Sequence, residues 1–200
     1  FNRVTDIYPS EPGLLQSLFP FLTKLPRSLL PGRLKFIKDF SDTSKPVGAA
    51  FNNPSLISQD GMEANTKQWR NAEIPAANGH GTARSIAKLY GILANGGSRD
   101  GIHVLKPETI EMSRLPQSEG KDLVLGGMNT KFGLGFMLGN ENISMGPNNK
   151  SFGHGGAGGS LGFCDPDNHV SLGFVMNQMH PGITAWKTAT DLASSVYKSL

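Results

Sequence analysis

The residues best equipped for chemistry crowd one stretch, Gly153-His154-Gly155-Gly156-Ala157-Gly158-Gly159-Ser160-Leu161-Gly162. It joins an imidazole and a hydroxyl to a backbone that glycine leaves open to close approach. An imidazole changes charge near neutral pH and can accept or donate a proton. Two known patterns overlap here. Gly153, Gly155 and Gly158 satisfy G-x-G-x-x-G, which holds a pyrophosphate only where the loop opens a helix. The residues that follow read as a β-hairpin, and no acidic residue near position 178 ends a next strand, so a dinucleotide site is not expected. Gly158-Gly159-Ser160-Leu161-Gly162 satisfies G-x-S-x-G. Asp165 or Asp167, then His169 or His180, follow in the order of an α/β-hydrolase triad. That motif needs a strand, a turn and a helix, whereas these acids and histidines fall inside one hairpin or just past it.

A second nucleophile pattern, Ser-x-x-Lys, occurs at Ser85/Lys88, Ser118/Lys121 and Ser195/Lys198. On a helix this spacing sets hydroxyl and amine on one face, so the amine can serve as base. Eighteen serines and twelve lysines make such pairs common by chance. Ser85, near a helix start, is the best placed; its alternative is a polar position on a packed helix. The five histidines show no paired ligand spacing, and Cys164 is the single cysteine. Neither a metal site nor any other cofactor is expected.

These groups need elements to hold them. Residues 78–97 carry the clearest helical period, with Ala83, Ile86, Ala87, Tyr90, Leu93 and Ala94 on one face. Thr82 suits the N-cap, and Asn95-Gly96-Gly97 is a stop. A second, short helix is expected from Pro107 to before Pro116. Phe132 to Leu138 reads as one strand, and Ser151 to His154 enters another. Residues 160–177 read as a hairpin around Asp165-Pro166-Asp167-Asn168. A last amphipathic helix is expected from near Thr184, with Trp186, Ala189, Ala193, Val196 and Tyr197 on its apolar face. Helices followed by an antiparallel meander and a covering helix make an α+β fold, not a βαβ repeat.

Composition narrows the function classes. The net charge of +3 over 200 residues is too small for a nucleic-acid footprint. No run approaches the length of a membrane span. Glycine is uneven, with 14 of the 25 in residues 126–182. Residues 1–60 are rich in proline and read as irregular. Within residues 24–45, Lys24, Arg27, Arg33, Lys35, Lys38 and Lys45 face only Asp39 and Asp42, as a membrane-surface or partner-binding segment or as an ordered excursion with its charges solvated. The chain starts Phe1-Asn2-Arg3 without a methionine or a signal-like segment, and is expected to be a processed product or a fragment. The compartment stays open.

Three blocks in order resemble the serine β-lactamase-like family, which includes class C β-lactamases, D-alanyl-D-alanine carboxypeptidases and β-lactamase-fold esterases. They are Asn78 to Gly97, Phe152 to Phe163, and Val175-Met176-Asn177 with the final helix. Together they span roughly residues 78–200. The resemblance implies part of a β-lactamase/transpeptidase-like fold: an antiparallel sheet with a covering C-terminal helix, plus part of a helical lobe. It implies two regions, 1–122 and 123–200, the first a Pro-rich segment with part of the helical lobe, the second the closing strands and helix.

The family's chemistry uses a Ser-x-x-Lys, a Tyr-x-Asn or Tyr-x-Ser, and a Lys-Thr-Gly-like strand. His154-Gly155-Gly156 stands where Lys-Thr-Gly would. By resemblance, His154 binds a substrate carboxylate or oxyanion, and the Ala157 amide is an oxyanion donor. Gly155, Gly156 and Gly158 let substrate lie along the strand. The family's Ser-x-x-Lys precedes the helix block, and Ser85/Lys88 lies within that block. Tyr8-Pro9-Ser10 has the Tyr-x-Ser form. The chain is therefore expected to be the C-terminal portion of a serine hydrolase acting on an amide, β-lactam or ester. Its partners would be a small-molecule or peptide-like substrate and a missing N-terminal half, and alone it would lack the nucleophile. Two alternatives remain: a non-catalytic binding or scaffolding module, and an α/β-hydrolase-type esterase using Ser160.

Overall fold

In a computed structural model of the chain, the described residues are 3–10, 24–30, 32–52, 57–58, 61–141, 145–180 and 187–200. Helices α1 (Gly32–Phe40) and α2 (Pro46–Phe51) come first. The short pair β1 (Ile57–Ser58) and β2 (Gly61–Met62) leads to α3 (Lys67–Asn71) and then to α4 (Ala83–Ala94). A second short pair, β3 (Ser98–Arg99) and β4 (Ile102–His103), precedes α5 (Pro107–Ser113). Six strands follow: β5 (Ser118–Asp122), β6 (Met128–Phe132), β7 (Met137–Leu138), β8 (Phe152–Gly155), β9 (Leu161–Asp165) and β10 (Val170–Phe174). Helix α6 (Lys187–Tyr197) closes the order. The six strands make one antiparallel sheet in which each pairs with its sequence neighbour. The α+β fold expected from the periodicities is what the chain adopts.

Alternation in the strands gives the sheet two apolar faces. Phe152 and Cys164 point to one, where Leu93 and Ala94 of α4 and Ile110 of α5 cover them with Leu138. Met137, Leu161, Phe163 and Leu172 point to the other, under Ala189, Ala193 and Val196 of α6. Phe152 and Phe163 are 0% and 1% exposed. Each contributes roughly 1.5–3 kcal/mol by leaving water. The Cys164 thiol is fully buried, and burial pushes its pKa up to about 12, so it is a packing group.

Helix α4 lies against β9 and β10, and two glycines set how close. Gly162 and Gly173 face each other across the β9–β10 ladder. A Cβ on Gly162 would sit 2.5 Å from the Tyr90 ring, and one on Gly173 would sit 2.4 Å from the Ala83 carbonyl oxygen. The first turns of α4 therefore rest on bare backbone. Ser171 fixes the register by donating from Oγ to the Ala87 carbonyl at 2.9 Å.

The fully buried Asp165 ties the far end of the sheet. Its carboxylate accepts from Asn148 Nδ2 at 2.8 Å, Asn168 Nδ2 at 2.7 Å, Asp167 N at 3.0 Å and the Tyr197 hydroxyl at 3.0 Å. Burial pushes its pKa up, but the donors from Asn148, Asn168 and Tyr197 outweigh that and hold the carboxyl below its ordinary value.

Thr82 caps α4 as expected, and the helix starts at Ala83. The structure departs from the sequence expectations in two places. Phe132 to Leu138 is not one strand. Gly133 N–H donates to the Phe136 carbonyl at 2.9 Å and Gly135 takes φ +80°, so the chain reverses between β6 and β7 and Phe132 pairs with Met137. The supposedly irregular N-terminal stretch holds α1 and α2, because Pro46 occupies the first turn of α2, where a missing N–H is harmless. In the same stretch Arg27 makes a two-pronged ion pair with Asp39. Thr184 and Trp186, at the expected start of the last helix, lie outside the described residues.

Two measurements test this reading. Gly173→Ala drives a methyl into helix backbone and should lower stability by about 1–3 kcal/mol in urea unfolding. Gly79→Ala meets open space and should change stability by less than about 0.5 kcal/mol. The lowered Asp165 pKa contributes stability that is fully present above the unfolded value and is lost as pH falls through the folded one. Acid unfolding below about pH 4 should therefore be less steep in Asp165→Asn than in the parent sequence.

Candidate functional site

β8 loses one neighbour just where the imidazole appears. On β8, β7 pairs with Phe152 and Gly153 only, so from His154 onward β8 is paired with β9 alone among the described residues and its other edge is open there. His154 stands opposite Gly162 in the β8–β9 ladder. Directly opposed residues share a face, so His154 leaves the sheet on the side that α4 covers at Gly162. The side chain is exposed and lines a trough of about 1420 Å³. Phe132 lies beside it, with ring centroids 6.0 Å apart.

His154 Nδ1 lies 2.6 Å from the Gly155 carbonyl oxygen. A carbonyl only accepts, so Nδ1 carries the proton. The neutral ring then offers Nε2 to the trough as an acceptor, and donates there only as imidazolium. This refines the donor role expected for His154.

The turn after β8 is strongly fixed. Gly156 N–H donates to Ser160 O at 2.8 Å, Gly159 N–H to Gly156 O at 3.0 Å, and His180 N–H to Gly158 O at 2.9 Å. Gly158 takes φ +83° and Gly159 φ +112°, a geometry suited to glycine. Ala157 N–H has no acceptor among the described residues, and Ala157 lines the trough with Gly155 and Gly156. Gly158 lies behind them under Met176 and Met179.

The remaining walls come from distant parts of the chain. Met62, Trp69, Leu125, Met137, Met176 and Met179 make an apolar lining. Residues 3–7 form one side, tied down by Asn65, whose side chain accepts from Ile7 N and donates to Ile7 O, both at 2.8 Å. Asp6 pairs with Arg70 at 2.8 Å.

The other nucleophile patterns fail on geometry. Ser160 sits between a turn and β9, with no helix after it, so the elbow that G-x-S-x-G requires is absent. Asp165 is committed to the contacts above, Asp167 to Lys150 at 2.7 Å, and His169 belongs to the turn at the opposite end of β9. The α/β-hydrolase alternative is thereby corrected. Ser85 Oγ accepts from Thr82 N at 3.0 Å and donates to Thr82 O at 2.8 Å, as half of a capping box. Ser118 and Lys121 lie on a strand, where this spacing puts them on opposite faces. Ser195 Oγ donates to Asp191 O within α6. Tyr8 bridges Gln178 through its backbone, and is not part of the trough wall. No group of three potential metal ligands occurs among the described residues.

Sequence reasoning gave no role to His80, which also lines the trough. Its signal was the Asn-Gly-His-Gly run just ahead of the Thr82 cap.

Comparison with known proteins places these features. The beta-lactamase family matches residues 38–194, starting about 40 residues before the resemblance seen in the sequence. The esterase/beta-lactamase LipL of Mycobacterium tuberculosis (strain ATCC 25618 / H37Rv) is 41% identical over 108 residues, covering 54% of this chain and 24% of that protein. Two solved structures are similar over 77% of this chain and 40% of their own. One is a penicillin-binding protein homologue from Caulobacter crescentus, with TM-score 0.67 and 38% identity. The other is a family VIII carboxylesterase, with TM-score 0.69 and 36% identity. The chain thus spans about a quarter of the curated relative and two fifths of the solved ones.

The proton position on His154 is open to direct measurement. Nitrogen-15 imidazole spectra of the neutral form should show the Nδ1–H tautomer, and an Nε2–H tautomer would contradict the geometry.

Proposed function

Because the chain belongs to the beta-lactamase family, we propose that it supplies the oxyanion strand and one wall of the site of a serine hydrolase that cleaves an ester or an amide, including a β-lactam. The observation that carries this reading is the Ala157 N–H, without an acceptor among the described residues, in the turn that follows β8 and lines the same trough as His154. A donor left without a partner at the rim of a trough is suited to hold negative charge that develops on a substrate. Residues 1–122 would contribute part of a helical lobe, and 123–200 most of the sheet.

The proposed reaction is acyl transfer in two stages. A serine oxygen attacks the substrate carbonyl carbon and loses its proton to a neighbouring base. The carbonyl oxygen becomes an oxyanion, which the Ala157 amide stabilises. Collapse breaks the bond to the alcohol or amine, which leaves with a proton. Water then attacks the acyl-enzyme in the same manner. His154 Nε2 faces these events, where it can accept a hydrogen bond from water or the leaving group, or donate one as imidazolium. Gly155 and Gly156 keep the strand clear of side chains so that substrate lies against its edge, whereas Gly158, placed behind them under Met176 and Met179, serves the turn and not the substrate, contrary to expectation.

Ser85 and Ser195 are engaged within or at the start of their helices, and Ser118 lies on the opposite strand face from Lys121. The proposed nucleophile and base therefore lie on sequence ahead of Phe1, and these 200 residues alone would not turn over substrate.

The gene product including the sequence ahead of Phe1 should hydrolyse p-nitrophenyl butyrate. A fluorophosphonate probe should label a serine outside residues 1–200, located by mass spectrometry of the peptides. His154→Ala should lower kcat/KM by about 100-fold or more. No adduct and no hydrolysis would leave a non-catalytic role, and an adduct on Ser160 would overturn the assignment of the nucleophile.

A further inference from the structure

We propose that His80 is a second substrate-binding imidazole of the trough, reaching the ligand from the α4 side and selecting substrates with a further polar group beyond the scissile bond. The proposal rests on the hydrolase reading above and extends it to substrate choice.

The placement follows from how α4 is seated. His154, Gly162 and Gly173 form one rung across β8, β9 and β10. All three leave the sheet on the same face. Ala83, Ile86 and Ala87, in the first turns of α4, rest on Gly173, and Ile86 and Tyr90 rest on Gly162. Helix α4 therefore crosses this rung, with Ala83 over β10 and Tyr90 over β9, the strand that pairs with His154. His80 lies three residues before Ala83, and it lines the same trough as His154.

The segment that carries His80 is anchored at both ends. On one side Asn78 Nδ2 donates to Trp69 O at 3.1 Å and to Ala72 O, while its Oδ1 accepts from Ile74 N at 3.2 Å. On the other side the Thr82–Ser85 capping box holds the helix start. Between these anchors stands Gly79-His80-Gly81, with an exposed imidazole that makes no hydrogen bond among the described residues. Asn78 thus spends its whole side chain shaping a loop whose central residue has no structural partner. That division suits a side chain kept for a ligand.

The surroundings define what His80 would recognise. Most of the side chains that line the trough are apolar, among them Met62, Trp69, Leu125, Met137 and Met176. Such a lining accepts an acyl chain but does not orient it. An uncommitted imidazole is both donor and acceptor when neutral. A matching ether or carbonyl oxygen on the substrate would accept from it. A site built this way discriminates against the analogue that lacks the oxygen.

The test compares two acyl groups of nearly equal shape, p-nitrophenyl methoxyacetate and p-nitrophenyl butyrate, on the gene product including the sequence ahead of Phe1. His80→Ala should raise KM for the methoxyacetate about fivefold, the size of one neutral hydrogen bond. It should raise KM for the butyrate less than about twofold, and kcat should move less than KM for both. His80→Gln, which restores a donor, should return most of the difference. Equal effects on the two esters, or no effect on either, overturn the proposal. Binding gives a separate readout, with nitrogen-15 imidazole signals followed during titration with ethyl methoxyacetate. A His80 signal that shifts in protein that hydrolyses neither ester supports His80 and removes the hydrolase reading. A stationary His80 signal beside a shifting His154 signal removes His80 and keeps the site.

Discussion

The contact on which the site depends is a helix laid on bare backbone. Any side chain at Gly162 or Gly173 would hold α4 away from β9 and β10. With hydrogen in those places, the helix reaches main-chain contact and Ser171 bonds to Ala87. The position of the loop before α4 then depends on the sheet rather than on its own flexibility. One close approach thus joins elements that sequence places about 70 residues apart. Packing at this distance has little slack, because interiors are dense and stiff.

Much of the fold was legible because local rules and tertiary packing agree. Thr82 caps α4, Pro107 opens α5, and the alternation at Leu161 and Phe163 marks a strand buried on both faces. Phe132 to Leu138 misled because its apolar residues suit a strand, while Gly133 and Gly135 allow the reversal that the Ser113 carbonyl helps to hold by accepting from Leu134 N–H. The N-terminal helices were hidden by prolines that serve as starts rather than breaks.

The site was legible in part. His154 and its glycines stand out as a cluster. The open edge of β8 does not, since it depends on where β7 stops. The proton on His154 Nδ1 depends on the neighbouring carbonyl, and the false triad at Ser160 is exposed only when Asp165 is seen to be fully engaged. His80 needed the seating of α4 to acquire a neighbour. In each case the missing information is a long-range pairing, which spacing along the chain does not encode.

Sequential pairing of the sheet also has a kinetic side. Every strand from β5 to β10 meets its neighbour after a short excursion, so each loop closure costs little entropy. The stretch Thr5–Tyr8 is different, because its bridge to Gln178 closes nearly the whole chain. The meander and its helices can therefore consolidate first, and the wall that Arg3 to Ile7 gives the trough docks afterwards. By contact order, this wall of the cleft is the part of the described chain that is closed through the longest loop.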